Sequence, residues 1–569
     1  MRGIQTNNII VARLIIGMAL AAALGFAACF LLLDSPPSFH YSLSVANAEA
    51  QSVRVSLKIS APLFCKKEAT FVYLGDKNVA VLSCVGPSGR AEETYLSDGV
   101  LAIPLSRAGS TTLTYDARVA VPAKHGNRGA IKKEYAVFDG DQAFLLPASF
   151  YDYDDESVRR SVGNIRLGFD FPENWEEIVP FKRVDRPRWI DIYALSKNAF
   201  VFGEFNDISK AGEGLNVYAL SGVTVADASG FESLFAYYAG LFEGKPSTYN
   251  VVLLPGDTQD KVIGGAGTGV VAASFDTGSL RDWQLLSHRM FHAFYDTFAP
   301  YANVHRPPNL WLNEGLATYY ENMALEALPE PLASAVGANA DRQFALLFDQ
   351  YLYMRARDPF AYGFAPMDED RMDSEAMKEF LHYTAAPLIV KALADEAESL
   401  GEKPDAVLRR CLDEETFEEP FAALSVAFDL LGDKAQGFCE DYLVGVEPPP
   451  LWRLKNAQPS PREILKALND AEFLFGSWQR LENEAYPIYE VSEEGMANAL
   501  NDVETEAVSF LPAGKATDIR GYCPELYALL NDWYRKARQQ GIEFDDRELR
   551  FKLSGYGAEM SGSESRGAD

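Results

Sequence analysis

Two histidines four residues apart, His288 and His292, stand in the stretch SLRDWQLLSHRMFHAFYDTF of residues 279–298. On a helix they share a face, and imidazoles on adjacent turns are close enough to bind one zinc ion. The stretch has the marks of a helix. Ser279 followed by Asp282 is a capping start, and Leu280, Trp283, Leu286, Met290 and Phe294 recur at helical spacing. With six His in 569 residues, roughly 0.06 such pairs arise by chance, so the pair asks for an explanation. Two structural histidines on a buried helix are the plainer alternative. Asp296, one turn beyond His292, either orients that ring or stands solvated.

The next segment of the chain narrows the choice. After Pro307-Pro308 the pattern predicts a second helix over 311–325, opening Trp311-Leu312-Asn313-Glu314-Gly315-Leu316-Ala317. The order His-x-x-x-His, a connection, then Trp-x-Asn-Glu-Gly-x-Ala is similar to the gluzincins, the zinc metallopeptidases of the aminopeptidase N and glycyl aminopeptidase families. The resemblance implies that His288, His292 and Glu314 hold Zn2+, and two imidazoles with one carboxylate do make an open three-ligand site. It also implies a peptide or protein N-terminus as partner. The 21 residues between His292 and Glu314 exceed the usual spacing of the aminopeptidase N group and point to the glycyl aminopeptidase group. Three further features agree: a β region upstream, Gly264-Gly265 introducing a strand before the zinc helix, and Tyr383-Thr384-Ala385-Ala386-Pro387 opening a helix where that family has a Tyr-Lys-Gly-like element. The layout matches over residues 40–410, and Tyr383 takes the place of the residue that stabilises an oxyanion. On the second helix Tyr319, Tyr320 and Glu321 are able to line the cleft or to belong to the core.

The pattern breaks where chemistry is most demanding. The family has Glu after the first His, as the base that takes a proton from zinc-bound water; here Arg289 stands there. A guanidinium, with a pKa above ~12, accepts no proton. The glutamate that holds a substrate's free amine is also gone, since the Gly-Gly strand reads Gly264-Gly265-Ala266-Gly267-Thr268. Metal binding is weakened rather than forbidden. A guanidinium ~6 Å from a site of net charge about +1 costs about 3 kcal/mol at an effective dielectric of ~20, against ~10–16 kcal/mol for a structural zinc. The implied function is a glycyl aminopeptidase-like homologue with lost or strongly reduced peptidase activity, a pseudoenzyme. An active metallo-aminopeptidase with a substitute base and a metal-free structural or peptide-binding protein are the alternatives.

These residues need a scaffold, and the chain predicts a multidomain α+β one. Residues 40–204 read as a β-sandwich: Val53, Val55, Leu57 and Ile59 alternate with polar partners, as do Leu113, Tyr115, Ala117, Val119 and Val121. Residues 205–445 mix apolar runs at 250–254 and 269–273 with helical patterns, as a thermolysin-like α/β and helical domain requires. A Pro-rich linker leads to a helical region over 451–555 and a polar tail at 556–569. Ahead of all this, Leu14–Leu33 carries no charge, and 20 residues at ~1.5 Å each span a bilayer core. Arg2 and Arg13 precede it, so residues 1–13 are expected in the cytoplasm and the bulk of the chain on the exoplasmic or periplasmic side, with secretion after signal cleavage as the alternative. Export permits disulfides, and Cys65 with Cys84 and Cys411 with Cys439 are the candidate pairs. The formal charge of −29 argues against a nucleic-acid partner.

Overall fold

The computed structural model describes residues 35–73, 78–97, 99–123, 126–148, 162–181, 188–208, 214–223, 225, 228–255, 262–265, 269–299, 309–357, 380–413, 422–444 and 448–455. The expected anchor at 14–33 and the expected C-terminal helices and tail lie outside these residues. Among the described residues no helix is long and apolar enough to cross a membrane. The chain divides between Gly203 and Glu204 into two compact units, with 122–127 grouped with the second.

The first unit is β-rich. Its early strands are β1 (Ser38–Asn47), β2 (Ser52–Ser60), β3 (Ala69–Tyr73), β4 (Val79–Val85), β5 (Tyr95–Ser97), β6 (Val100–Pro104) and β7 (Ser110–Arg118). After the hairpin of β8 (Pro122–Ala123) and β9 (Gly126–Asn127) come β10 (Gly129–Ile131), β11 (Tyr135–Asp139), β12 (Leu146–Pro147), β13 (Val162–Asp170), β14 (Glu176–Ile178), β15 (Arg188–Asp191) and β16 (Ala199–Gly203). A six-stranded sheet runs β15-β13-β1-β2-β7-β4, beside four-stranded sheets β10-β11-β16-β14 and β12-β3-β6-β5. The period-two alternation explains the register. Val53, Val55 and Leu57 of β2 lie opposite Ala117, Tyr115 and Leu113 of β7, all fully buried, while Arg54 and Lys58 face water. Pairing is antiparallel except where β1 lies parallel to β13. Phe138, Phe144, Phe169, Phe200 and Phe202 fill the core with stacked and edge-on rings.

The second unit begins with a five-stranded mixed sheet. Strands β17 (Phe205–Asp207), β18 (Leu215–Leu220), β19 (Tyr249–Leu254), β20 (Val262–Gly264) and β21 (Val270–Ser274) lie in the order β17-β18-β19-β21-β20. The central strands pair in parallel, β18 with β19 and β19 with β21, and their near-continuous burial is what a sheet covered on both faces requires. Helix α1 (Ser229–Leu241) provides one crossover; α2 (Leu280–Phe298) and α3 (Leu310–Ala324) come after the sheet. Further helices are α4 (Ala340–Arg357), α5 (Ala386–Ser399), α6 (Ala406–Cys411) and α7 (Ala422–Leu431). One large apolar core joins sheet and helices.

Gly264-Gly265 ends β20 and precedes β21, the strand expected just before the zinc helix; both residues take left-handed backbone, at φ 69 and 85. Two expectations need correction. Tyr383 lies in a π-helical turn, Phe380–Ala385, and the regular helix starts only at Ala386. Cys65, Cys84, Cys411 and Cys439 are all buried free thiols, so neither candidate disulfide is formed.

Candidate metal centre

Helix α2 is fixed at its start. Ser279 caps it, its Oγ accepting from the Asp282 backbone N–H at 3.3 Å, while Asp282 Oδ2 accepts from the Asp276 N–H at 2.8 Å. The Trp283 indole donates to the Thr277 carbonyl at 2.9 Å. Trp283, Leu286, Met290, Phe291 and Phe294 are at most 1% exposed and press α2 into the core. Gly230 lets α1 approach, since a Cβ there would lie 2.4 Å from the Trp283 ring. Such packing leaves the α2 backbone little freedom, and His288 and His292 inherit its position.

Both imidazoles meet Glu314 of α3. His292 Nε2 lies 3.1 Å from His288 Nε2, and Glu314 Oε2 lies 3.2 Å from the first ring's Nε2 and 3.3 Å from the second's. These atoms form a nearly equilateral triangle. Zinc bonds of ~2.0–2.1 Å at the tetrahedral angle would separate ligand atoms by roughly 3.3 Å, so the triangle has the dimensions of one face of a zinc coordination tetrahedron. Among the described residues, His288, His292 and Glu314 form the group able to hold a metal.

The donor set favours a cation for a second reason. Glu321 Oε2 lies 2.8 Å from His288 Nδ1, and a carboxylate only accepts, so Nδ1 carries the proton and His288 Nε2 presents its lone pair to the triangle. Three electron-rich atoms then face one another, an arrangement that a divalent cation relieves. Glu321 is itself 3.9 Å from the buried Arg281 guanidinium. The protonation balance agrees for His292 and Glu314, while without a cation His288 is drawn toward its charged form. Burial pulls the His292 pKa down and keeps that ring neutral, the form that ligates. Burial also opposes charge on His288, but hydrogen bonds to Glu314 and Glu321 outweigh it and raise its pKa. Burial would raise Glu314 too, yet the two imidazoles hold it well below the usual carboxylate range.

Other candidates take varied places. Tyr383 is half-buried with its ring centroid 5.9 Å from that of His288, so the π turn brings the phenol ring to the centre. Asp296 is buried, and its charge acts on His292. Arg289 is half-buried on the side of α2 toward the end of β20: a Cβ on Gly265 would stand 3.4 Å from the Arg289 Cβ. Gly265 tolerates no Cβ in any case, because Val271 would be 2.8 Å away.

From the sequence, Glu321 is only one of several residues of α3 able to line the cleft. Its spacing holds the clue: seven residues after Glu314 is two turns, which puts both carboxylates on one face of α3. Tyr249 gives no signal. Its hydroxyl is buried without a hydrogen-bond partner among the described residues, at the start of β19, and burial raises its pKa while the nearby Arg289 charge lowers it.

Comparison with known proteins gives one positive result. No protein-family model matches the chain, and no curated protein matches it. Among solved structures, it is similar to an aminopeptidase N family protein from Idiomarina loihiensis at 14% identity and a TM-score of 0.53, covering 74% of this chain and 78% of that one. An M1 zinc metallopeptidase from Deinococcus radiodurans aligns at 13% identity and a TM-score of 0.45, over 73% of this chain and 95% of that one. A mutant M1 zinc metallopeptidase of the same organism, bound to a Tyr-ser-ala substrate, aligns at 14% identity and 0.46, over 73% and 96%. At such identities the likeness is one of fold, and the Idiomarina structure carries it.

Proposed function

We propose, from the aminopeptidase N-like gluzincin fold of this chain, that it is a membrane-anchored, zinc-binding protein laid out like a glycyl aminopeptidase, which binds peptides and has lost most or all peptidase activity. One observation carries the reading: the donor triangle of His288, His292 and Glu314 is complete, while the position beside it that must accept a proton is Arg289. The Leu14–Leu33 run supports the anchor, with the bulk of the chain exoplasmic.

Each residue then has a definable part. His288, His292 and Glu314 would hold zinc, which when bound supplies a Lewis acid to an oxygen ligand. Glu321 holds the Nδ1 proton of His288 and so keeps Nε2 free to ligate. Tyr383 lies close enough to the centre to donate a hydrogen bond to a bound carbonyl oxygen. Arg289 cannot take up a proton, so the general-base contribution, worth ~10²–10⁴ in rate, is missing.

The test uses the full chain in detergent. Bound zinc is determined by elemental analysis, and aminoacyl and peptide substrates are assayed with the wild type and Arg289→Glu. Zinc in both proteins with turnover confined to Arg289→Glu is the expected outcome. Wild-type turnover that His288→Ala abolishes would show instead a working peptidase with another base. A protein that takes up no zinc when metal is replete is a structural one.

A further inference from the structure

The half-buried Arg289 is the least explained group in the site. Among the described residues it has no hydrogen-bond or ion-pair partner. The nearby carboxylates are engaged: Glu314 with both imidazoles, Glu321 with His288 and Arg281. A guanidinium withdrawn partly from water and left unmatched is unfavourable unless something else pairs with it. Its planar fork of donors suits a carboxylate better than any other common group.

The surroundings point the same way. No acidic residue occurs from Val262 to Phe275, so the strand edge beside Arg289 offers no carboxylate to pair with an ammonium group. Gly265, which has no side chain of its own, lies between the Val271 side chain and the Arg289 Cβ. A metal held by His288, His292 and Glu314 would add a second positive centre next to the first. An amine arriving here meets two cations; a carboxylate meets two partners.

We infer that the ligand of this site is a peptide presenting its C-terminal carboxylate to Arg289, so that the site reads the opposite chain end from an aminopeptidase. This rests on the peptide-binding reading above and specifies its ligand. Once oriented so, the carboxylate takes the Arg289 fork, and the last peptide carbonyl lies toward the metal triangle and Tyr383.

Isothermal titration of the detergent-solubilised full chain decides it with three probes. N-acetyl-trialanine has a free carboxylate and no amine; trialanine amide has the amine and no carboxylate; N-acetyl-Ala-Glu-Ala amide has only a side-chain carboxylate. One charge-assisted, two-pronged contact is worth about ten- to a hundredfold in affinity. N-acetyl-trialanine should therefore bind wild type about ten- to a hundredfold more tightly than trialanine amide. Arg289→Gln should erase that preference, Arg289→Lys should keep part of it, and zinc content should be unchanged in Arg289→Gln. The inference is overturned if the amine-bearing probe binds as well as the acid, if Arg289→Gln leaves their ratio unchanged, if the side-chain acid binds best, or if no probe binds. Zinc content and turnover are read separately, so a metal-free or hydrolytic protein would sink the earlier reading without touching the acid-to-amide ratio.

Discussion

Two parts of one site are held in different ways. The metal triangle stands on α2 and α3, whose side chains are packed against a large core, and its donors are tied to one another and to Glu321. In the lip, Gly264 and Gly265 are buried but Arg289 is half-buried, and the lip is bounded by an edge strand that pairs on one side only. Packing constrains the first part tightly and the Arg289 side chain of the second loosely. Metal holding and proton handling are therefore separable: side chains at the lip can change their chemistry while the triangle keeps its dimensions.

That separation can be attacked at each part. The largest effect is expected from Arg289→Glu, which restores a proton acceptor beside an intact triangle and should raise peptide turnover by about 10²–10⁴-fold in a stopped assay. No gain, with zinc still bound, would mean that the lip lacks more than a base. Glu321→Gln should weaken zinc by about 10–100-fold in a competition titration with a chromogenic chelator, since the His288 ring loses its anionic partner. An unchanged affinity would mean that the α2 and α3 backbones alone orient the ring.

Gly315→Ala tests the seat of α3. A Cβ there would meet the Ala386 Cβ at 2.7 Å and its carbonyl carbon at 3.0 Å, so the variant should lose about 1–3 kcal/mol by chemical denaturation and bind zinc less tightly. Stability lost with metal affinity intact would show that the triangle does not depend on this contact. Smallest is Ser279→Ala, which removes the cap of α2 and should lower stability by about 1 kcal/mol without altering zinc stoichiometry.

The legible parts are those written in local spacing. The His pair, the Ser279 cap and the alternation of β2 against β7 each come from a period of one element, and the structure has them where the spacing puts them. The partner of His288 depends on how α2 and α3 meet, and spacing within α3 names Glu321's face without naming what it faces. The parallel pairing of β1 with β13 joins segments more than a hundred residues apart, which no local pattern encodes. The π turn around Tyr383 leaves no compositional mark, because its wider hydrogen-bonded ring needs no special residue.

The buried thiols carry a practical consequence. Cys65, Cys84, Cys411 and Cys439 are each no more than 6% exposed, and burial raises the pKa of Cys84, Cys439 (to about 11) and Cys411 (to about 12). At these three scarcely any thiolate exists near neutral pH, and burial keeps reagents from all four thiols. Cys65 and Cys84 belong to the first unit, Cys411 and Cys439 to the second. With Cys29 and Cys523 replaced, a maleimide dye would react only when a unit opens, so labelling rates would serve as separate clocks for the breathing of each half of the molecule.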